Sequence, residues 1–118
     1  MICTPPIKYV PKGWGSEEWI VNKEYCGKIL RFYKGKKLSW HYHKDKHEVF
    51  YLLSGKLIIK YNFDQDITKA DQTILYPNMS FEVPQGLCHQ MIAEEDSVLI
   101  EFSSHHEDSD SFRIICGD

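Results

Sequence analysis

Short runs in which apolar and polar residues alternate, separated by glycine, proline and asparagine, recur along the chain. The period is two, which puts alternate side chains on opposite faces of an extended strand. Residues 56–61 alternate in this way, and Met79, Phe81 and Val83 alternate with Ser80 and Glu82. Strands are also expected over 17–21 and 28–33, on either side of a turn within 22–27, and over 48–53, which ends at Ser54-Gly55. Residues 73–76 lead to a turn at Pro77-Asn78, and 89–93 and 97–102 form a last pair divided by Glu94-Glu95-Asp96. The polar stretch 62–71 reads as a loop or long hairpin connection. No helical period stands out, and short strands with turn residues between them predict an all-β sandwich or barrel.

With 118 residues the chain has the length of one domain. The expected layout is a single domain over 1–118, with an N-terminal arm (1–16), a β-barrel (17–103) and a C-terminal tail (104–118). An aromatic content of 14% with 26% charged residues fits a globular chain and not a disordered one. The net charge of -3 and the lack of a basic stripe argue against a nucleic-acid partner. Lys34, Lys36 and Lys37 cluster, but around Gly35, as a solvated turn would. No apolar run approaches a membrane span, no secretory leader is expected at the start, and Cys3, Cys26, Cys88 and Cys116 form no C-x-x-C pair. Reduced thiols in a cytoplasmic protein are the expectation.

The stretch 35–55 carries the candidate chemistry. His41 and His43 share one face of an extended strand, so two imidazoles can reach one ion. Glu48 follows a polar connection, 44–47, and would return from a neighbouring strand. Farther on, the Pro84-Gln85-Gly86 turn delivers His89 to the start of another strand. His41, His43, Glu48 and His89 together suit a divalent first-row transition metal (Zn, Mn, Fe, Ni or Co) better than calcium or magnesium, which favour oxygen shells. His47, next to Glu48 and so on the opposite face, is the rival ligand and fits a loop or surface role better.

These spacings resemble both signature motifs of the cupin superfamily. Gly35, His41, His43, Glu48 and Gly55 fit the first motif throughout, and Pro84, Gly86 and His89 fit the second. Asn78 replaces the second motif's first glycine, and asparagine also tolerates a left-handed turn. Ala93 replaces its last asparagine, which is not a ligand in the family pattern. The resemblance implies a double-stranded β-helix, or jelly-roll barrel, holding one metal ion. The runs Gly13-Trp14-Gly15-Ser16, Leu38-Ser39 and Ile100-Glu101-Phe102-Ser103, with Arg113 in the acidic tail, further resemble the cupin domain of type II mannose-6-phosphate isomerases. That similarity implies isomerisation of a sugar or sugar phosphate, with the metal polarising substrate oxygens. The nucleotidyltransferase domain usual in that family is absent from this sequence.

Two further residues are candidates for catalysis. Glu101 is a lone carboxylate in the apolar run 98–102, where it could be a general base or an outward carboxylate on a solvated face. Arg31 could bind an anionic group of the substrate or sit on the surface. The same ligand set would also serve an iron-dependent dioxygenase, and a non-catalytic module binding a small ligand such as a sugar is a third reading. Inward Phe50 and Leu52 would make the pocket partly greasy. The histidines of the run 105–110 read as a second metal site, a solvated loop, or a lining of the barrel mouth. If the ligands face inward, Leu38, Trp40, Tyr42, Val49, Tyr51 and Leu53 face outward, a surface too apolar to leave in water. Either the Trp14–Trp19 region covers it or a second subunit does, and a homodimer is expected.

Overall fold

Alternation decides which face each strand buries. In the strand Leu57–Asn62, Leu57 and Ile59 are fully buried while Ile58 and Lys60 are half-buried. The computed structural model describes residues 1–118. Its strands are β1 (Lys8–Lys12), β2 (Gly15–Asn22), β3 (Tyr25–Phe32), β4 (Trp40–Tyr42), β5 (Glu48–Ser54) and β6 (Leu57–Asn62). They continue with β7 (Asp71–Leu75), β8 (Ser80–Val83), β9 (Cys88–Ala93), β10 (Ser97–Ser104) and β11 (Phe112–Ile115). Single 3-10 turns at Ile67–Lys69 and Asp108–Asp110 are the helical elements.

The strands form two antiparallel sheets, a six-stranded one in the order β1-β2-β3-β10-β5-β8 and a five-stranded one in the order β11-β4-β9-β6-β7. Neighbours such as β3 and β10, or β4 and β9, are far apart in sequence, which gives the all-β jelly-roll arrangement. Between the sheets lies a core of 13 buried apolar residues, among them Trp14, Phe32, Leu52, Ile59, Met91 and Leu99. Burial at about 25 cal/mol per Å² of apolar surface makes this layer the main stabilising term. Asn78 takes φ 69°, the left-handed turn conformation its place in the motif required.

Both segments outside the expected barrel 17–103 supply strands. β1, within the expected arm, pairs with β2, and β11, within the expected tail, pairs with β4 and sets Arg113 opposite His41. The outer face also differs from expectation. Trp40 is fully buried, and its indole donates at 2.8 Å to the Gln65 carbonyl, so the loop after β6 covers it. Tyr42 stacks on Phe112, with ring centroids 5.1 Å apart, and Leu38 packs against the core instead of facing outward. Trp14 stacks on Phe32 within the core and Trp19 lines a cavity, so neither covers the outer face of the sheets. Leu53 and Phe102 on the six-stranded sheet are exposed.

Candidate metal centre

Opposing registers bring the histidines together. His41 on β4 lies directly across from His89 on β9, and His43 follows one residue after β4. The Gly86 N–H donates to the His43 carbonyl at 2.7 Å, which ties the turn that delivers His89 to the strand end that carries His43. One nitrogen from each ring of His41, His43 and His89 falls within 4.8 Å of the others. Glu48, the first residue of β5, reaches the group from the other sheet. Its Oε2 lies 3.3 Å from His89 Nε2 and its Oε1 lies 3.6 Å from His43 Nε2.

Each imidazole is oriented through its other nitrogen. Nδ1 of His41, His43 and His89 lies 3.0 Å from the backbone carbonyls of Ser39, Asp110 and Leu87 respectively. A carbonyl only accepts, so each Nδ1–H donates and Nε2 is the nitrogen left to bind a metal. Burial, then the neighbouring His89 and His43, holds the pKa of His41 well below the usual histidine range. Burial likewise brings that of His43 down to about 4. His41 and His43 are thus ready at neutral pH as neutral ligands. His89 Nε2 and Glu48 Oε2 are buried without a hydrogen-bond partner, although they face each other. Two buried polar atoms left without a hydrogen bond are costly, and a cation between them satisfies both. The donor set of three imidazoles and a carboxylate therefore fits a divalent transition metal.

The connection 44–47 is solvated at Lys44 and Asp45 but not at Lys46. Lys46 is 3% exposed, and its ammonium lies 2.8 Å from Glu48 Oε1 and 3.2 Å from Glu101 Oε2. Burial alone would lower the pKa of Lys46, but Glu101 and Glu48 outweigh it and raise it. Burial pushes Glu48 up as well, and contact with His89 together with the charge on Lys46 brings its carboxyl well below the usual range. Glu101 is raised, by burial first and by Glu48 second. Both hydrogen bonds to Glu101, from Lys46 and from the Ser103 hydroxyl at 3.1 Å, use Oε2.

The metal-ligand candidates and Glu101 line one cavity of about 460 Å³, together with Phe50, Trp19, Lys28, His106 and Arg113. Arg31 is not among them. It lies on the outer face of β3, with Nε 3.1 Å from Glu18 Oε1, because Lys28, Leu30 and Phe32 hold the inward positions of that strand. His47 is outside too, 2.9 Å from Glu82. Of the histidines in 105–110, His106 folds over the mouth and accepts from Lys46 Nζ at 3.0 Å through Nδ1, while exposed His105 contacts Glu107 and the Lys23 carbonyl. Sequence reasoning missed Lys46 and Lys28. Alternation along β3 could have found Lys28, whereas no local pattern marks Lys46.

Comparison with known proteins agrees with this architecture. The sequence model described as the cupin domain matches residues 28–105. No curated protein matches the chain by sequence. Among solved structures, the capsular polysaccharide assembling protein CapF from Staphylococcus aureus superposes with a TM-score of 0.81 at 18% identity, over 95% of this chain and 32% of that one. Oxalate decarboxylase from Bacillus subtilis superposes with a TM-score of 0.79 at 15% identity, over 91% of this chain and 30% of that one. The chain thus spans about a third of the length of those two proteins. KdgF from Halomonas sp. is similar over nearly its whole length, with a TM-score of 0.74 at 16% identity, covering 92% of this chain and 98% of that one.

Proposed function

The chain belongs to the cupin family, and on that premise we propose that it is a metal-dependent isomerase acting on a sugar or sugar phosphate. The observation that carries the reading is Glu101, a buried carboxyl with a raised pKa that lines the same cavity as the three imidazoles. A divalent metal held by His41, His43, His89 and Glu48 would supply Lewis-acid polarisation of adjacent carbonyl and hydroxyl oxygens on the substrate.

The chain's own groups then handle the proton. Lys46 and Ser103 fix Glu101 through Oε2, and Oε1 remains for the substrate. Glu101 takes the proton from C2 of the aldose and returns it to C1 of the ketose, while the hydroxyl proton moves from O2 to O1. A carboxyl pKa raised toward neutrality suits both halves of this transfer. Phe50 and Leu30 keep one wall of the cavity dry, which strengthens the charge interactions within it.

The test follows the exchangeable proton. Metal-loaded protein is incubated with mannose 6-phosphate and other aldoses in D2O, and deuterium at C2 is followed by NMR. Deuterium incorporation and ketose formation, both lost in Glu101→Gln, support the isomerase. No exchange with any sugar or sugar phosphate overturns it. Oxygen uptake by the iron-loaded protein would point to a dioxygenase, and saturable sugar binding without turnover to a binding module.

The proposal extends to assembly and compartment. Ile20, Leu53 and Phe102 are exposed on the outer face of the six-stranded sheet, and a homodimer formed there would bury them; light scattering checks its mass. Four free cysteines accord with a reducing, cytoplasmic setting.

A further inference from the structure

We propose that the cavity mouth holds an anion subsite, with Lys28 at its base and Lys8 and Lys12 at its rim, for a carboxylate or phosphate group carried by the substrate. The proposal rests on the reading of this cavity as a substrate pocket. It narrows the substrate from sugars in general to acidic or phosphorylated ones.

The first observation is a buried ammonium with too little to bind. Lys28 is 3% exposed because β3 turns Cys26, Lys28, Leu30 and Phe32 inward. A buried charge needs close pairing to offset its lost hydration. Its nearest carboxylate oxygen, Glu17 Oε1, is 3.5 Å away, well beyond a charge-assisted hydrogen bond. That oxygen already accepts from the Trp19 indole N–H at 3.0 Å, and Glu17 Oε2 is shared with Lys12 at 3.8 Å.

The second observation is convergence of like charge. The Lys28 and Lys8 ammoniums lie 4.0 and 4.6 Å from the centroid of the same Trp19 ring. Lys12 and Lys28 share the Glu17 carboxylate, while Glu101, opposite Lys28 on β10, already accepts from Lys46 and Ser103. Asp108 is the other acid at the rim, but its Oδ1 is 2.9 Å from His106 Nε2 and its side chain is 84% exposed. Burial, then Lys46 and Lys28, holds His106 below the usual histidine range, in keeping with a positive field at the mouth. All this occurs in a chain of net charge -3, so the positive excess is local and faces into the cavity. An anion with several oxygens can accept from all three ammoniums while the rest of the substrate reaches the imidazoles.

The test reads Trp19 directly and needs no turnover. The indole N–H resonance of Trp19 is followed by NMR as metal-loaded protein is titrated separately with inorganic phosphate and with acetate. Wild type is compared with Lys28→Gln, Lys28→Arg, Lys8→Gln and Lys12→Gln. A saturable shift is expected, with binding weakened about tenfold in Lys28→Gln and about threefold in each rim variant, and largely kept in Lys28→Arg. Tighter phosphate binding identifies a phosphate ester, and tighter acetate binding identifies an acid sugar. No saturable shift with either anion overturns the subsite, as do unchanged affinities in the lysine variants. If Lys28→Gln does not fold, Lys8→Gln and Lys12→Gln decide the matter. Anion binding without isomerisation would sink the proposed activity and leave the subsite standing, and isomerisation of neutral sugars with no anion response would do the reverse.

Discussion

The Lys46 ammonium bridges Glu48 Oε1 at 2.8 Å and Glu101 Oε2 at 3.2 Å, all three groups being buried. It therefore connects a candidate metal ligand to the candidate base and neutralises part of their charge. It also engages Oε1 of Glu48, so Oε2, the oxygen without a partner, is the one free to ligate. Lys46→Met should destabilise metal-free protein by about 3 kcal/mol, because removing one partner strands two buried carboxylates. Adding Glu101→Gln should recover a substantial part of that loss, since the two changes share one network. Urea unfolding of both variants and wild type measures the difference, and a loss below about 1 kcal/mol would mean that water replaces the lysine.

What the sequence revealed followed the distance over which each signal acts. Strand alternation is local, so His41 and His43 on one face, the turn before His89 and the inward Phe50 were all legible. Which face of β3 and β10 is inward depends on pairing between residues far apart. Alternation groups Lys28 with Leu30 and Phe32 and sets Arg31 on the other face, but only the register, with Lys28 opposite Glu101, says which of the two faces is inward. Lys46 sits in a run of charged residues that reads as solvent-facing. Its burial depends on Glu101, 55 positions away, and on Asp110, 64 positions away. β1 and β11 were missed because their few residues become strands through pairing with β2 and β4, not through their own pattern.

Asp110 should make the fold acid-sensitive. Its carboxylate accepts from the backbone N–H groups of Lys44, Asp45 and Lys46 at 2.9–3.2 Å, shaping the connection between His43 and Glu48. Burial pushes its pKa up, but these three N–H groups outweigh burial and hold it below the usual aspartate range. A lowered folded-state pKa means that the stabilisation is complete above the unfolded value, about 3.9, and fades as pH falls through the folded one. Asp110→Asn should lose about 2 kcal/mol at pH 7, from weaker hydrogen bonds to a neutral amide. The gap between variant and wild type should close toward pH 2. Denaturant midpoints across this range check it, and a gap that persists at low pH would assign the effect to packing.

Glu101→Gln separates a chemical role from a structural one. The amide keeps the shape and can still meet Lys46 and Ser103 through its carbonyl, but it cannot take a proton. The expected outcome is unchanged metal content with kcat lowered 10²-fold or more, the usual scale for losing a general base. Elemental analysis paired with the deuterium assay makes the comparison. An equal fall in metal content and rate would place Glu101 in support of the ligands instead.

Gly55 closes the β5–β6 turn for a reason that can be tested apart from chemistry. It takes φ 96°, and a Cβ there would lie 2.2 Å from Ser97 Oγ and 2.5 Å from the Asp96 carbonyl. The Ser97 hydroxyl cannot simply move away, because it donates to the Glu95 carbonyl at 2.8 Å and accepts from the Lys56 N–H at 3.1 Å. Gly55→Ala thus combines an unfavourable backbone conformation with a clash against backbone, for a loss of about 2–4 kcal/mol. A second change, Ser97→Gly, removes the first contact but not the second, so it should restore only part of that loss. The turn is at the far end of β5 from Glu48, about 20 Å away at the usual rise per residue. Folded Gly55→Ala protein should accordingly bind metal with wild-type stoichiometry. Thermal unfolding with elemental analysis of the folded fraction tests both halves, and loss of metal from protein that remains folded would show that strain in the turn travels along β5 to the ligands.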